Sequence, residues 1–345
     1  MSFRDHARAQ AKACADLGSP FTARVLTLVA DRLAPGHVLG EHLLYWPSAQ
    51  QRADAVALRL AGALHYLVLS GKTPVLARLY AQPHTVPDGQ LWRVLDAAMR
   101  LHANEIMAIL DSPPQTNEIR RSAVLIAAAH WLTAAYDLPM VLSELGSSAG
   151  LNLLWDDYAL EIGGQHYGPE TPALTLTPDW RGDLPPVASP KIRARAGVDL
   201  NPLDPEQDAL RLLSYIWADQ SDRLQQTRTA LALACEKRPV VTSGNAIDWL
   251  ETRLSRPVTQ AVHLVYNTVV WQYLSPQEQA RGAAMFERVG ARCRKDEPLV
   301  HLSMEQDEDG PGAALTLHLW PDDVRLDLGR ADFHGRWVDW RAPAL

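Results

Sequence analysis

The spacing of hydrophobic positions changes once along the chain, near residue 139. Before that point apolar residues recur at helical intervals. Val56, Leu60, Leu64 and Leu67 share one helical face, and Leu91, Leu95, Met99 and Ile106 repeat in the same way. Boundary signals agree. Residues 3–17 carry helix formers and stop at Gly18. Ser19-Pro20 opens a second helix that ends before Pro35-Gly36. Ser48 with Gln51 fits a capping box ahead of a helix that stops at Gly71. Pro87-Asp88 precedes another, and Thr116 caps a further one reaching about Tyr136. No strand pattern precedes residue 139, so residues 1–137 are expected to form an all-helical cap domain.

After Pro139 the pattern alternates. Met140–Leu145 is a short apolar run, followed at once by Gly146-Ser147-Ser148-Ala149-Gly150 and a helical Leu151–Tyr158. Six prolines punctuate residues 160–190, where Leu160–Tyr167 turns at Gly163-Gly164. This stretch reads as an insertion within a domain spanning 138–345. Strands are predicted at Ile192–Leu200, Pro239–Ser243, Ala261–Asn267 and Leu299–Met304. Helical stretches fall between them, at Asp204–Lys237 (broken near Ala218-Asp219), Ala246–Leu254 and from Ser275-Pro276 to about Cys293. Ala313–Trp320 and Val324–Leu328 alternate like an antiparallel hairpin. Strands separated by helices imply an α/β fold around a parallel sheet, with the hairpin at its edge.

Composition narrows the function classes. The net charge of −7 provides no basic stripe for a phosphate backbone, so no nucleic-acid partner is expected. Cys14, Cys235 and Cys293 stand far apart, which fits neither a zinc site nor a disulfide framework and suits a reducing compartment. The N-terminus lacks the apolar core of a signal peptide. The most apolar stretch, Ser122–Ala135, is shorter than the roughly 20 residues that span a bilayer. The expectation is a cytoplasmic protein without membrane partners; nothing in the sequence indicates its oligomeric state.

The turn at Gly146–Gly150 supports two chemistries. In the first, small residues after a strand let backbone approach a ligand while the next helix presents free N–H groups. Glu144 at the strand end could neutralise a cationic group, and Asp199 at the end of a second strand could bond ribose hydroxyls. This arrangement resembles the Rossmann-like S-adenosylmethionine-dependent methyltransferases, whose first motif is an acidic residue followed by a Gly-rich turn. Glu144, Gly146 and Gly150 match it, with Ser148 where the middle glycine usually falls. Asp199 matches their second-strand acid. Ser243-Gly244-Asn245-Ala246 is similar to their third-strand motif, with Asn245 in place of the usual Asp. The resemblance covers residues 138–330. It implies a sheet of order 3-2-1-4-5-7-6 and S-adenosylmethionine held by Glu144, Gly146, Ser147, Ser148, Ala149, Gly150, Asp199, Asn245 and Ala246. A small-molecule acceptor would meet Tyr266 and Asn267 at the fourth-strand end, within a pocket bounded by the cap and the Pro-rich insertion. Methyl transfer depends mainly on alignment and needs no obligatory base. Glu144–Asn152 with Gly197–Pro202 also resembles a bacterial family of unknown function within this superfamily.

In the second chemistry, Gly146–Gly150 satisfies the nucleophile-elbow pattern G-x-S-x-G, with Ser148 as nucleophile and Asp248 with His301 or His334 downstream. Against it, several strands precede the elbow in that fold, and no oxyanion loop precedes this turn. A non-catalytic cofactor-binding protein is the third possibility, raised by the departures at Ser148 and Asn245. Purely structural roles exist too: Gly-turn joints let a helix pack closely on a sheet, and Asp199 and Asn245 both fit helix or turn caps. No metal site is read from the sequence, since adjacent Asp156 and Asp157 point apart on a helix. Arg120 and Arg121 read as a solvated face, or as an arginine reaching over the cofactor. Trp271 and Tyr273 could wall a pocket, and His334-Gly335-Arg336-Trp337 is distinctive without an assigned chemistry.

Overall fold

A computed structural model describes residues 2–344. The chain divides into two compact units. One contains the residues up to Thr116 together with Gln207–Arg228; the other contains Asn117–Glu206 and the chain from Thr229 onward.

The first unit is helical: α1 (Phe3–Asp16), α2 (Pro20–Arg32), α3 (Val38–Leu44), α4 (Val56–Leu69), α5 (Pro74–Tyr80), α6 (Asp88–Leu101) and α7 (Ala103–Leu110). α8 (Ser122–Tyr136) belongs to the other unit, while α9 (Ala209–Ser214) returns to this one. Ser2 and Asp5 form a reciprocal capping box at the head of α1. Ser19 makes no such cap for α2. Its hydroxyl pairs with Asp219, whose second oxygen accepts from the Phe21 N–H at 2.8 Å. A carboxylate 200 positions away thus does the work expected of Ser19, and helps place the segment around it in this unit. The Ser48–Gln51 box does not form either. Residues 48–55 are turns, and the Gln51 amide instead donates to the Trp46 carbonyl at 3.1 Å. Leu26, Leu60, Leu64, Leu91 and Leu95 meet in one core.

The domain boundary expected at residue 137 therefore lies too late and misses the returning segment. The reason is α8. Its residues Ser122–Leu132 are all buried, Ser122 and His130 among them, so it is covered on every face and packs in the sheet unit. Thr116 does not cap it; a 3₁₀ turn at Ile119–Arg121 leads into it.

The second unit is built on a nine-stranded sheet. In chain order its strands are β1 (Met140–Leu145), β5 (Asp179–Gly182), β6 (Ile192–Asp199), β7 (Val241–Ser243), β8 (Val262–Thr268), β9 (Leu299–Gln306), β10 (Ala313–Trp320), β11 (Val324–Ala331) and β12 (Trp337–Trp340). The intervening β2 (Tyr158–Ile162), β3 (Gln165–Tyr167) and β4 (Leu174–Leu176) form a separate small sheet that contains the predicted hairpin. β5 leaves the insertion to pair in parallel with β12 at the main-sheet edge.

The main order is β7-β6-β1-β8-β9-β10-β11-β12-β5. β7 through β9 run parallel, and β9 through β12 pair antiparallel. The expected ending 5-7-6 is corrected to a plain meander. The short loop 307–312 cannot hold the crossover of a dozen or more residues that a parallel return requires, so β10 folds straight back on β9. The remaining helices are α10 (Ser221–Lys237), α11 (Ala246–Arg253) and α12 (Pro276–Gly290). The last carries the predicted Ser275–Glu278 capping box. One sheet face packs Leu145, Val198 and Val265 on Ile247, Leu250, Met285 and Phe286. Leu151–Tyr158, read as helical, is a 3₁₀ helix over Leu151–Asp157 with a kink at Leu154.

Candidate functional site

From β1 the chain goes to β6 and β7 on one side, then returns to β8 on the other side of β1. The carboxyl ends of β1 and β8 thus flank the point where strand order reverses, the place where open parallel sheets leave a crevice for ligands.

Gly146 follows β1 at φ 69° and Gly150 closes the turn at φ 73°. A side chain on Gly146 would run into Val270, and one on Gly197 into Ser147. Both glycines are there for close approach of backbone to neighbouring segments.

The turn uses most of its N–H groups within the protein. Gly146 and Ser147 donate to the Val198 carbonyl at 2.8 and 3.0 Å. Ser148 donates to Asp199 Oδ2 at 2.9 Å, and Gly150 to the Ser147 carbonyl at 2.7 Å. Leu151, at the helix start, donates to Asn117 Oδ1 at 3.0 Å. Little remains with which to cradle a phosphate.

Carboxylates are the turn's other feature. Asp199 ties the ends of β1 and β6 together through the Ser148 N–H, and its Oδ1 also accepts from Asn201 N at 2.9 Å. Each oxygen keeps a lone pair, and the residue is half-exposed. Glu144 is 2% exposed and its Oε2 has no partner. Burial pushes its carboxyl well above the ordinary range and Asp199 adds to the rise, while the Ser147 hydroxyl and Arg121 oppose it. Arg121 donates to the Thr268 carbonyl at 2.7 Å, at the end of β8, and to the Phe333 carbonyl at 2.9 Å.

Two residues near this point hold unusual backbone. Ser148 sits at φ 53° and Val269 at φ 60°. A β-branched residue there is strained, and such strain gathers at functional sites. Glu305, at the end of β9, pins the Val269 segment. Its Oε1 accepts from Asn267 Nδ2 and Val270 N, each at 2.7 Å, and from Trp271 N at 2.9 Å, leaving Oε2 buried without a partner.

Not all expected residues serve a ligand. Tyr266 is fully buried and its hydroxyl donates to the Asn152 carbonyl at 3.0 Å. Asn267 is also fully buried. It accepts from His301 Nε2 at 2.7 Å when that nitrogen is protonated, and donates to Ser303 and Glu305. The expectation that these two line a reacting centre is therefore revised: both side chains are occupied inside the fold. Asn245 caps α11 through the N–H groups of Ile247 and Asp248 and donates to Glu278, so its amide is engaged as well; Ala246 begins that helix.

The hydrolase constellation does not assemble. Ser148 Oγ is buried without a partner, His301 is bonded to Asn267 and stacked on Phe286, and Asp248 is paired with Arg281. The backbone N–H of His334 donates to Asp332 Oδ1 at 3.0 Å. Its motif is a loop anchor: Gly335 lacks a side chain because the Arg120 backbone lies against it.

Sequence reasoning under-read Arg121 and missed Glu305. The usable signals were a pair of arginines ahead of a mostly apolar helix, and an acid at the end of a strand.

A family model described as an uncharacterized protein conserved in bacteria (DUF2332) matches residues 4–340. The chain belongs to this family. No curated protein matches it. Among the described residues, no helix is long and apolar enough to cross a membrane.

Proposed function

We propose that the sheet unit of this DUF2332 protein binds S-adenosylmethionine at the carboxyl ends of β1 and β6 and transfers its methyl group to a small-molecule acceptor. One observation carries the reading. The Gly turn uses its N–H groups internally while leaving carboxylate oxygens, Glu144 Oε2 above all, in need of a partner. A pyrophosphate-bearing dinucleotide needs the opposite pattern, free N–H groups at a helix start. A phosphate-free, cationic nucleoside suits what is present.

In this reading Asp199 accepts from the ribose hydroxyls through its remaining lone pairs. Glu144 gives up the proton that burial keeps on it as the cation binds and then faces the positive charge, and Gly146–Gly150 form the floor. Asn245 and Ala246 act by holding α11 rather than by touching adenine. Tyr266 and Asn267 support the end of β8 from within, leaving backbone and the Val269–Trp271 segment to bound the acceptor.

The test is calorimetric titration with S-adenosylhomocysteine and S-adenosylmethionine. Dissociation constants near micromolar, about −8 kcal/mol, should weaken at least tenfold in Asp199→Asn, which keeps an acceptor oxygen for the turn. No binding by folded, ligand-free protein would overturn the reading, and labelling of Ser148 by a fluorophosphonate would replace it with the hydrolase. Tight binding with no transfer to any acceptor would mark a non-catalytic cofactor-binding protein.

A further inference from the structure

The helical unit holds a groove of about 480 Å³ along α5 and α6, within the range that small-molecule sites occupy. On α6 the stripe Gln90, Arg93, Val94, Ala97 and Leu101 faces it, at the spacing that puts side chains on one helical face. Thr73 and Val75 line the other wall.

Three features separate it from a packed seam between helices. Its apolar rim is left in water, with Leu101 79% and Val75 50% exposed. Thr73 is more than nine-tenths buried, yet its hydroxyl has no partner, an arrangement that costs stability. The cations nearby are unequal. Lys72 is neutralised by Glu105 and Arg100 by Asp96, whereas Arg93 bonds only to the Gly89 carbonyl of its own helix, at 3.2 Å. No carboxylate among the described residues pairs with it.

We propose that this groove binds an amphipathic monocarboxylate, with the carboxylate on Arg93 and Gln90 and an acyl chain laid along Val94, Ala97 and Leu101. From Arg93 to Leu101 the helix advances about 12 Å, room for a medium-length chain. Charge selects a carboxylate over an amine, and the apolar wall selects a chain over a compact polar acid. The site is independent of the strand-end crevice.

The experiment is calorimetric titration of the full chain with decanoate, decanol and decyltrimethylammonium. Decanoate should bind and the cation should not. Arg93→Gln should weaken decanoate at least tenfold while leaving decanol and S-adenosylhomocysteine titrations unchanged. Ala97→Trp, an exposed position, should abolish both decanoate and decanol binding with unaltered helicity by circular dichroism. Equal binding of carboxylate and cation, indifference to Arg93→Gln, or no decanoate binding by the folded chain would each overturn the proposal.

Discussion

The two halves of the main sheet handle polar groups in opposite ways. In the parallel half, β1 and β8 are buried from end to end, yet they carry Ser143, Glu144, His263 and Asn267. Internal bonds satisfy most of these: Ser143 meets His263 at 2.8 Å and receives Arg253 at 2.9 Å. Glu144 Oε2 is left over. In the antiparallel half, β10 alternates, with Ala313, Leu315 and Leu317 inside and Thr316 outside. Its neighbours pair their charges near water, as in Arg325–Glu287 and Arg341–Asp339. Burying an unpaired polar group costs free energy that exposed pairs avoid. A fold that keeps such groups in one half, beside strained backbone at Ser148 and Val269, keeps them where ligand chemistry is expected.

Acid should break the parallel half first. Burial holds His263 and His301 neutral, down to about 3 in each case. The unfolded chain takes up protons below the ordinary value of 6.5, so the destabilisation is absent above that pH. It then grows by about 1.4 kcal/mol per pH unit per group as pH falls toward 3. Thermal midpoints measured from pH 7 to 4 should fall steeply, and His263→Gln should flatten the slope.

The core comes next. Leu142→Ala on β1 removes a fully buried side chain and should cost about 2–5 kcal/mol. Val324→Ala on β11, 40% exposed, should stay within about 0.5 kcal/mol. Similar losses in denaturant titrations would erase the contrast.

Gly146→Ala should cost about 1–2 kcal/mol for its left-handed backbone alone, more once the new methyl meets Val270, and should weaken the proposed cofactor binding. Gly310→Ala, whose added carbon meets nothing closer than Arg330 Nε at 3.4 Å, is the antiparallel counterpart and should alter stability far less.

Glu144→Gln sharpens the comparison through its sign. The raised carboxyl keeps its proton in the folded state where the unfolded chain has lost it. Its contribution is therefore present below the ordinary value of 4.5 and is lost as pH rises above it. Glutamine should raise the thermal midpoint at pH 8, with the gain vanishing near pH 4, and should weaken binding of a cationic ligand. The smallest effect belongs to Arg325–Glu287, whose coupling in a double-mutant cycle should be below about 1 kcal/mol.

Periodicity alone determined much of this protein. The helical first third, the Ser275 cap, the hairpins at Gly163-Gly164 and at Pro321–Asp323, and the strands that alternate with helices were all legible, because the local hydrophobic period reports which face is buried. The acidic strand ends Glu144 and Asp199 were legible too, as carboxylates beside a glycine turn. Tertiary structure decided the rest. Asp219 caps α2 from a distant segment, α8 joins the sheet unit, and β10 turns back on β9. Tyr266 and Asn267 are occupied inside the fold, while Arg121 and Glu305 reach the crevice ends. These outcomes depend on which polar groups meet after long loops close. A side chain's hydrogen bonds follow from neighbours between 35 and 198 positions away, and local spacing carries no record of them.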